Sequence, residues 1–202
     1  MKSILITGGA CAGKTTSLEV IKRYLREKGY RVIIIKEVPT DLISRGISYN
    51  KIGKIEFLEL VIQAQINNEI ECFEKYNNEE KTIAIFDGSP IDCLKFISKE
   101  ELEVILKKHD LDMDKIAGRY DAIIFLQTIA KKYPELYSNE NNNARLTDIN
   151  LAIERNDRLE KYYAKLKKVS FIECENDINI KNNNIKIIIE EILKNNCNNL
   201  KQ

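Results

Sequence analysis

Apolar residues along this chain follow two alternating periods. Short, nearly unbroken apolar runs rich in β-branched residues occur five times: at Ile4–Ile6, and over residues 31–36, 82–86, 121–127 and 169–173. Each has the length of a strand, and runs of this kind suit a sheet covered on both faces. Between them, apolar residues recur at three- and four-residue steps, the helical period. Residues 14–28 carry Leu18, Ile21 and Leu25, and Gly29 follows as a C-terminal cap. The longest helical pattern, residues 54–75, repeats Ile55, Leu58, Ile62, Ile66, Ile70 and Phe73, with Phe57, Val61 and Ala64 beside them. Ser98 and Glu101 have the spacing of a capping box, which starts a helix over 99–108 and leaves His109 at its end. Further helices are expected over 145–167, with Ile149, Ile153, Leu159 and Leu166 on one side, and over 185–193, with Ile185, Ile188, Ile189 and Ile192.

Strands alternating with helices predict an α/β fold: three layers, α/β/α, around a five-stranded parallel sheet with right-handed crossovers. If the strand ending at Asp87 lies beside the strand ending at Gly8, the strand order is 2-3-1-4-5. The expectation is a single domain over residues 1–202. Within it, residues 128–160 begin with a polar, Asn-rich stretch that reads as a lid, and residues 195–202 read as a frayed tail.

Composition narrows the partners. The chain of 202 residues has 32 basic and 31 acidic side chains, a net charge of +1. No overall field favours nucleic acid or a membrane surface. Its 5 cysteines, at 11, 72, 93, 174 and 197, show no metal-binding spacing, and with a single histidine they read as reduced thiols of a cytoplasmic protein. No apolar run reaches the length of a membrane span.

The chemistry concentrates after the first strand. Gly8-Gly9-Ala10-Cys11-Ala12-Gly13-Lys14-Thr15 matches G-x-x-x-x-G-K-[ST]. The four fixed positions would coincide by accident in about 1% of chains of this length. The match also lies between a strand and a helix, the context in which such a loop cradles phosphates. Its inward N–H groups form a nest that favours polyphosphate. Lys14 reaches the β- and γ-phosphates, Thr15 ligates Mg²⁺, and Thr16 is a further phosphate contact.

Other candidates lie at strand ends, where parallel sheets place their ligands. Glu37 follows the second strand, as a general base or substrate ligand or as a solvated carboxylate. Asp87 ends the third, as a second Mg²⁺ ligand or as a helix cap; Asp92 is five residues on. Arg145 and Arg155, with Arg158 nearby, could neutralise charge on a transferring phosphoryl group, or pair with Asp148, Glu154 or Asp157. Gln63, Gln65 and Glu69 interrupt the apolar pattern of the longest helix and face either a ligand or solvent.

Taken together, Ile6-Thr7-Gly8-Gly9 with Gly13-Lys14-Thr15, Glu37-Val38-Pro39-Thr40, Asp87-Gly88-Ser89-Pro90-Ile91-Asp92, Tyr120–Leu126, and Asn143-Ala144-Arg145 with Asp157-Arg158-Leu159 resemble the P-loop kinases. They are most similar to the AAA-type family that includes the nicotinamide riboside kinase domain of the regulator NadR. The resemblance covers nearly the whole chain. It implies ATP and Mg²⁺ as cofactors, transfer of the γ-phosphoryl group to a small nucleoside-like acceptor, and Glu37 as the base. Many relatives carry Asp-Arg after the third strand, where this chain has Asp87-Gly88. The competing reading is a nucleotide-dependent switch, an ATPase or GTPase; the chain has no Asn-Lys-x-Asp or Thr-Lys-x-Asp guanine motif. A polynucleotide 5′-kinase is disfavoured by the balanced charge and by the absence of a basic-aromatic stripe.

Overall fold

A computed structural model describes residues 1–137 and 148–199. Five strands, β1 (Lys2–Gly8), β2 (Arg31–Ile35), β3 (Thr82–Asp87), β4 (Ala122–Leu126) and β5 (Val169–Ile172), form one sheet in the order β2-β3-β1-β4-β5. This is the expected parallel sheet. The helices are α1 (Lys14–Glu27), α2 (Val38–Ser44), α3 (Tyr49–Ile52), α4 (Lys54–Tyr76), α5 (Lys99–Lys107), α6 (Met113–Gly118), α7 (Ile149–Tyr163) and α8 (Ile178–Asn199). Short 3₁₀ turns occupy Pro90–Lys95, Ile129–Lys131 and Pro134–Leu136.

The central strands are apolar because both their faces are covered. Ile4, Leu5 and Ile6 of β1 and Ile83 to Phe86 of β3 are fully buried. Each large side chain among them contributes about 2 kcal/mol by leaving water. At the sheet edge β2 departs from the expectation: Val32 is buried, but Ile33, Ile34 and Ile35 are only partly covered.

The described residues divide into two compact units: Met1–Thr7 with Tyr30–Asp121, and Gly8–Gly29 with the chain from Ala122 onward. In the first unit, Phe86 stacks on Phe73 with centroids 5.5 Å apart and meets Tyr120 edge-on at 5.4 Å. Helix α4 is rotated from the expected stripe. It buries Phe57, Leu58, Val61, Ile62, Gln65, Ile66, Glu69 and Cys72, while Ile55 and Ile70 are exposed. The cause is a polar cluster around Glu69. Its carboxylate takes hydrogen bonds from Tyr120 Oη at 2.7 Å, Arg119 Nη1 at 2.9 Å and Gln65 Nε2 at 3.3 Å. Gln63, nearly two turns before Glu69, is only partly covered and bonds Asn67. The capping box forms as expected: Ser98 Oγ accepts from Glu101 N–H, and Glu101 Oε2 accepts from Ser98 N–H.

In the second unit, Phe125 packs on Tyr163 at 5.8 Å and on Phe171 at 5.3 Å. Helix α7 is shorter than the expected 145–167. Asp148 caps it by accepting from Asn150 N–H, and its buried side is Ala152, Asn156, Leu159 and Tyr163, with Ile149 and Ile153 only partly covered. Helix α8 begins seven residues before the expected 185 and continues to Asn199, past the expected start of the tail. The polar run Asn182-Asn183-Asn184 hides its first turns. Burial raises the Cys72 thiol to about 11 and the Cys93 thiol to about 12, so both behave as packing groups. Among the described residues, no helix is long and apolar enough to cross a membrane.

Burial, against the pull of Tyr120, Arg119 and Gln65, raises the Glu69 carboxyl above its ordinary 4.5. A raised carboxyl holds its proton better in the folded chain. Its stabilising contribution is therefore complete below about pH 4.5 and is lost as pH rises through the raised folded value. Glu69→Gln should remove that slope from urea-denaturation stabilities measured at pH 4 to 7. Arg119→Met strands a buried carboxylate and should cost about 3 kcal/mol; a loss under about 1 kcal/mol would show that Arg119 does not stabilise Glu69.

Candidate functional site

The match from Gly8 to Thr15 forms the turn between β1 and α1. Gly8 has φ +141°, and a Cβ there would sit 2.0 Å from the Leu126 carbonyl oxygen. Only glycine fits, because the backbone passes close to the end of β4. Gly9 donates its N–H to that same carbonyl at 3.3 Å. Cys11 is left-handed at φ 51°, as is Gly13 at φ 72°. Successive turns of this kind make a concave row of N–H groups, the nest that binds anions.

The carbonyls of the loop have separate partners. Lys14 Nζ lies on Gly8 O at 3.3 Å and Gly9 O at 3.0 Å. Thr128 Oγ1 donates to Ala10 O at 2.6 Å. Lys181 Nζ donates to Ala12 O. Asn156 supports this arrangement: its Oδ1 accepts from Thr128 N–H at 3.1 Å, and its Nδ2 reaches Glu160 at 3.2 Å. Glu160 also takes Gln127 at 2.9 Å and Lys131 at 3.0 Å, tying the segment after β4 to α7. Ala12, Thr128, Asn156 and Lys181 are all buried.

Helix α1 has no acidic residue in its first turn to oppose an anion, and Thr15 and Thr16 are exposed there. The nest, the Lys14 ammonium and the Thr15 hydroxyl make a donor set that fits a polyphosphate and its divalent cation.

In the other unit, Asp87 is the last residue of β3. It is buried and in register with Ile6, two residues before Gly8. The following turn is capped by Ser89 Oγ, which accepts from Ile91 N–H at 3.2 Å, so Asp87 is not the cap. Gly88 donates to Ile6 O at 3.0 Å with φ +87°, a backbone that would strain any side chain there, including the arginine that the family resemblance leads one to expect. Asp92 is held within the fold, where Thr7 Oγ1 donates to it at 2.6 Å and Lys95 pairs with it at 3.3 Å. Glu37 immediately precedes α2, is partly covered, and accepts from Thr40 Oγ1 at 2.5 Å. Gln65 Nε2 is 3.4 Å from Gly88 O, inside the protein.

Of the expected arginines, Arg158 pairs with Glu154 at 2.6 Å along α7, Arg155 is partly covered on the same helix, and Arg145 lies outside the described residues. Thr128, Asn156 and Lys181 were not expected at the site. Thr128 follows β4 at the strand end where ligands gather, and Asn156 interrupts the buried side of α7. Lys181 precedes Ile185 and Ile189 at four-residue steps, which marks it as a member of the buried stripe of α8.

The geometry at Gly8 predicts that Gly8→Ala costs about 3 kcal/mol in chemical denaturation, because the new methyl meets the end of β4 in a left-handed backbone. A cost within about 1 kcal/mol would mean the loop relaxes freely there.

Residues 3–179 match the family model described as AAA domain. No curated protein matches the chain. Among solved structures, it is similar to deoxyadenosine kinase from M. mycoides with bound dATP, at 17% identity and a TM-score of 0.58, over 94% of this chain and 100% of that one. At this identity the likeness establishes a shared fold. The matched model spans most of the chain and the sheet order is that of a P-loop kinase, so the protein belongs to the AAA domain family and has a nucleoside-kinase-like P-loop fold.

Proposed function

We propose that this protein is an ATP- and Mg²⁺-dependent kinase that moves the γ-phosphoryl group of ATP to a hydroxyl of a nucleoside-like small molecule in the cytoplasm. The observation that carries this reading is the phosphate loop, with its nest, its lysine and a first helical turn free of acidic side chains. The dATP bound to the similar deoxyadenosine kinase supports a nucleotide donor and a nucleoside acceptor.

The N–H groups of the loop bind the β- and γ-phosphates. Lys14 exchanges its contacts with the Gly8 and Gly9 carbonyls for phosphate oxygens and follows the charge as it moves toward the bridging oxygen. Thr15 and Asp87 are the residues that would hold Mg²⁺, which would supply neutralisation of phosphate charge. Glu37 takes the proton from the acceptor hydroxyl, and the freed oxygen bonds to the γ-phosphorus as the bond to the β–γ bridging oxygen breaks and ADP departs. Arg155 of α7, with Arg145, is assigned to the transferring group.

Glu37→Gln keeps the shape of the side chain and removes the base. It should bind ATP with unchanged affinity and transfer labelled phosphate from γ-labelled ATP at least about 100-fold more slowly. Full transfer by this variant would remove Glu37 from the mechanism.

A further inference from the structure

We infer that Lys181 is a positioning residue of the phosphate loop: its ammonium holds the Ala12 carbonyl and so turns the Gly13 N–H into the anion cradle. The inference rests on the nucleotide-binding reading above and adds a residue and a pH dependence to it.

Lys181 lies in the first turns of α8, is 5% exposed, and donates from Nζ to Ala12 O. A Cβ built on Gly13 would stand 2.7 Å from that nitrogen. The ammonium is therefore packed directly behind the peptide joining Ala12 to Gly13. A trans peptide is planar, with its C=O and N–H antiparallel. Fixing the Ala12 oxygen toward Lys181 aims the Gly13 N–H the opposite way. Thr128 does the same for the preceding alternate peptide, holding Ala10 O and thereby setting the Cys11 N–H. Two side chains from separate elements thus set the direction of alternate donors in the loop.

A hydroxyl serves at Ala10, so the anchor at Ala12 did not have to be charged. A buried ammonium is costly, and here it is stabilised by a carbonyl rather than a carboxylate. What it supplies beyond a hydrogen bond is positive charge behind the cradle, where low dielectric lengthens its reach. Burial brings the lysine down to about 8, while the neighbouring Cys174 acts to raise it. Other titratable side chains on the elements around it include Cys11 of the loop, Lys14 at the start of α1, Glu173, Glu175 and Asp177 before α8, and Lys186 and Glu190 further along it; the Asp177 carbonyl accepts from Lys181 N–H at 3.3 Å. A polyphosphate in the cradle favours the charged lysine. Binding above about pH 8 therefore takes up a proton, and affinity falls as pH rises through that range.

The experiment is calorimetric titration of the full chain with ATP and with inorganic tripolyphosphate between about pH 6.5 and 9.5, for the wild type and Lys181→Met, with thermal melting of both. The wild type should bind both ligands and lose about tenfold in affinity between pH 7.5 and 9.5. Lys181→Met should melt cooperatively, bind both about tenfold more weakly at neutral pH, and lose the wild type's fall in ATP affinity between about pH 7.5 and 9.5, where the ATP γ-phosphate is already fully ionised. A variant within about twofold of the wild type for both ligands would overturn the positioning role and leave the nucleotide reading intact. If the variant fails to fold, the wild-type profile decides: a fall with pH supports the inference and a flat profile overturns it. A wild type that binds neither ligand overturns the nucleotide reading and the inference with it.

Discussion

A loop can turn its N–H groups toward an anion only if the carbonyls of the same peptides are held on the other side. This constraint organises the phosphate loop. Thr128 takes the carbonyl of Ala10 and Lys181 that of Ala12. Each partner is set by an element with its own apolar packing: the end of β4, and α8. Thr128 is in turn held by Asn156, and Asn156 by Glu160, so the loop's geometry depends on the seating of α7. Packing of Phe125 on Tyr163 is thus linked to the direction of N–H groups several residues away.

The two units bury charge in opposite ways. Glu69 is fully enclosed but surrounded by donors, including a guanidinium, and its cluster fixes the rotation of α4. Buried pairs of this kind select one arrangement more than they add stability. Lys181 is nearly as enclosed and has a carbonyl for its partner. Among the described residues its partner is that backbone dipole, and perturbed charged groups of this kind are common at active sites.

The sheet order and the phosphate loop were legible in the sequence because strong local signals carried them. β-Branched runs marked the strands, and the glycine spacing before Lys14 has few other uses. The sequence also exposed the capping box at Ser98, since both partners lie within four residues. What it hid depended on distant partners. The stripe on α4 read toward Ile55 and Ile70, because nothing local announces that Arg119 and Tyr120 await Glu69. Asp92 was ambiguous until Thr7 was seen to donate to it. Lys181 falls before the helix expected over 185–193, although its spacing to Ile185 and Ile189 carried the signal. The reason for Gly8 also required the third dimension: the end of β4 excludes a side chain.

The central claim is that the phosphate loop serves transfer to an acceptor rather than a nucleotide-dependent switch. The most direct measurement is the fate of γ-labelled phosphate from ATP with Mg²⁺, across a panel of nucleosides, ribosides and an oligonucleotide, beside Lys14→Ala. The account predicts a labelled small-molecule product with one nucleoside-like acceptor, absent in the variant. Tight ATP binding with slow hydrolysis that no acceptor accelerates would contradict it and identify a switch.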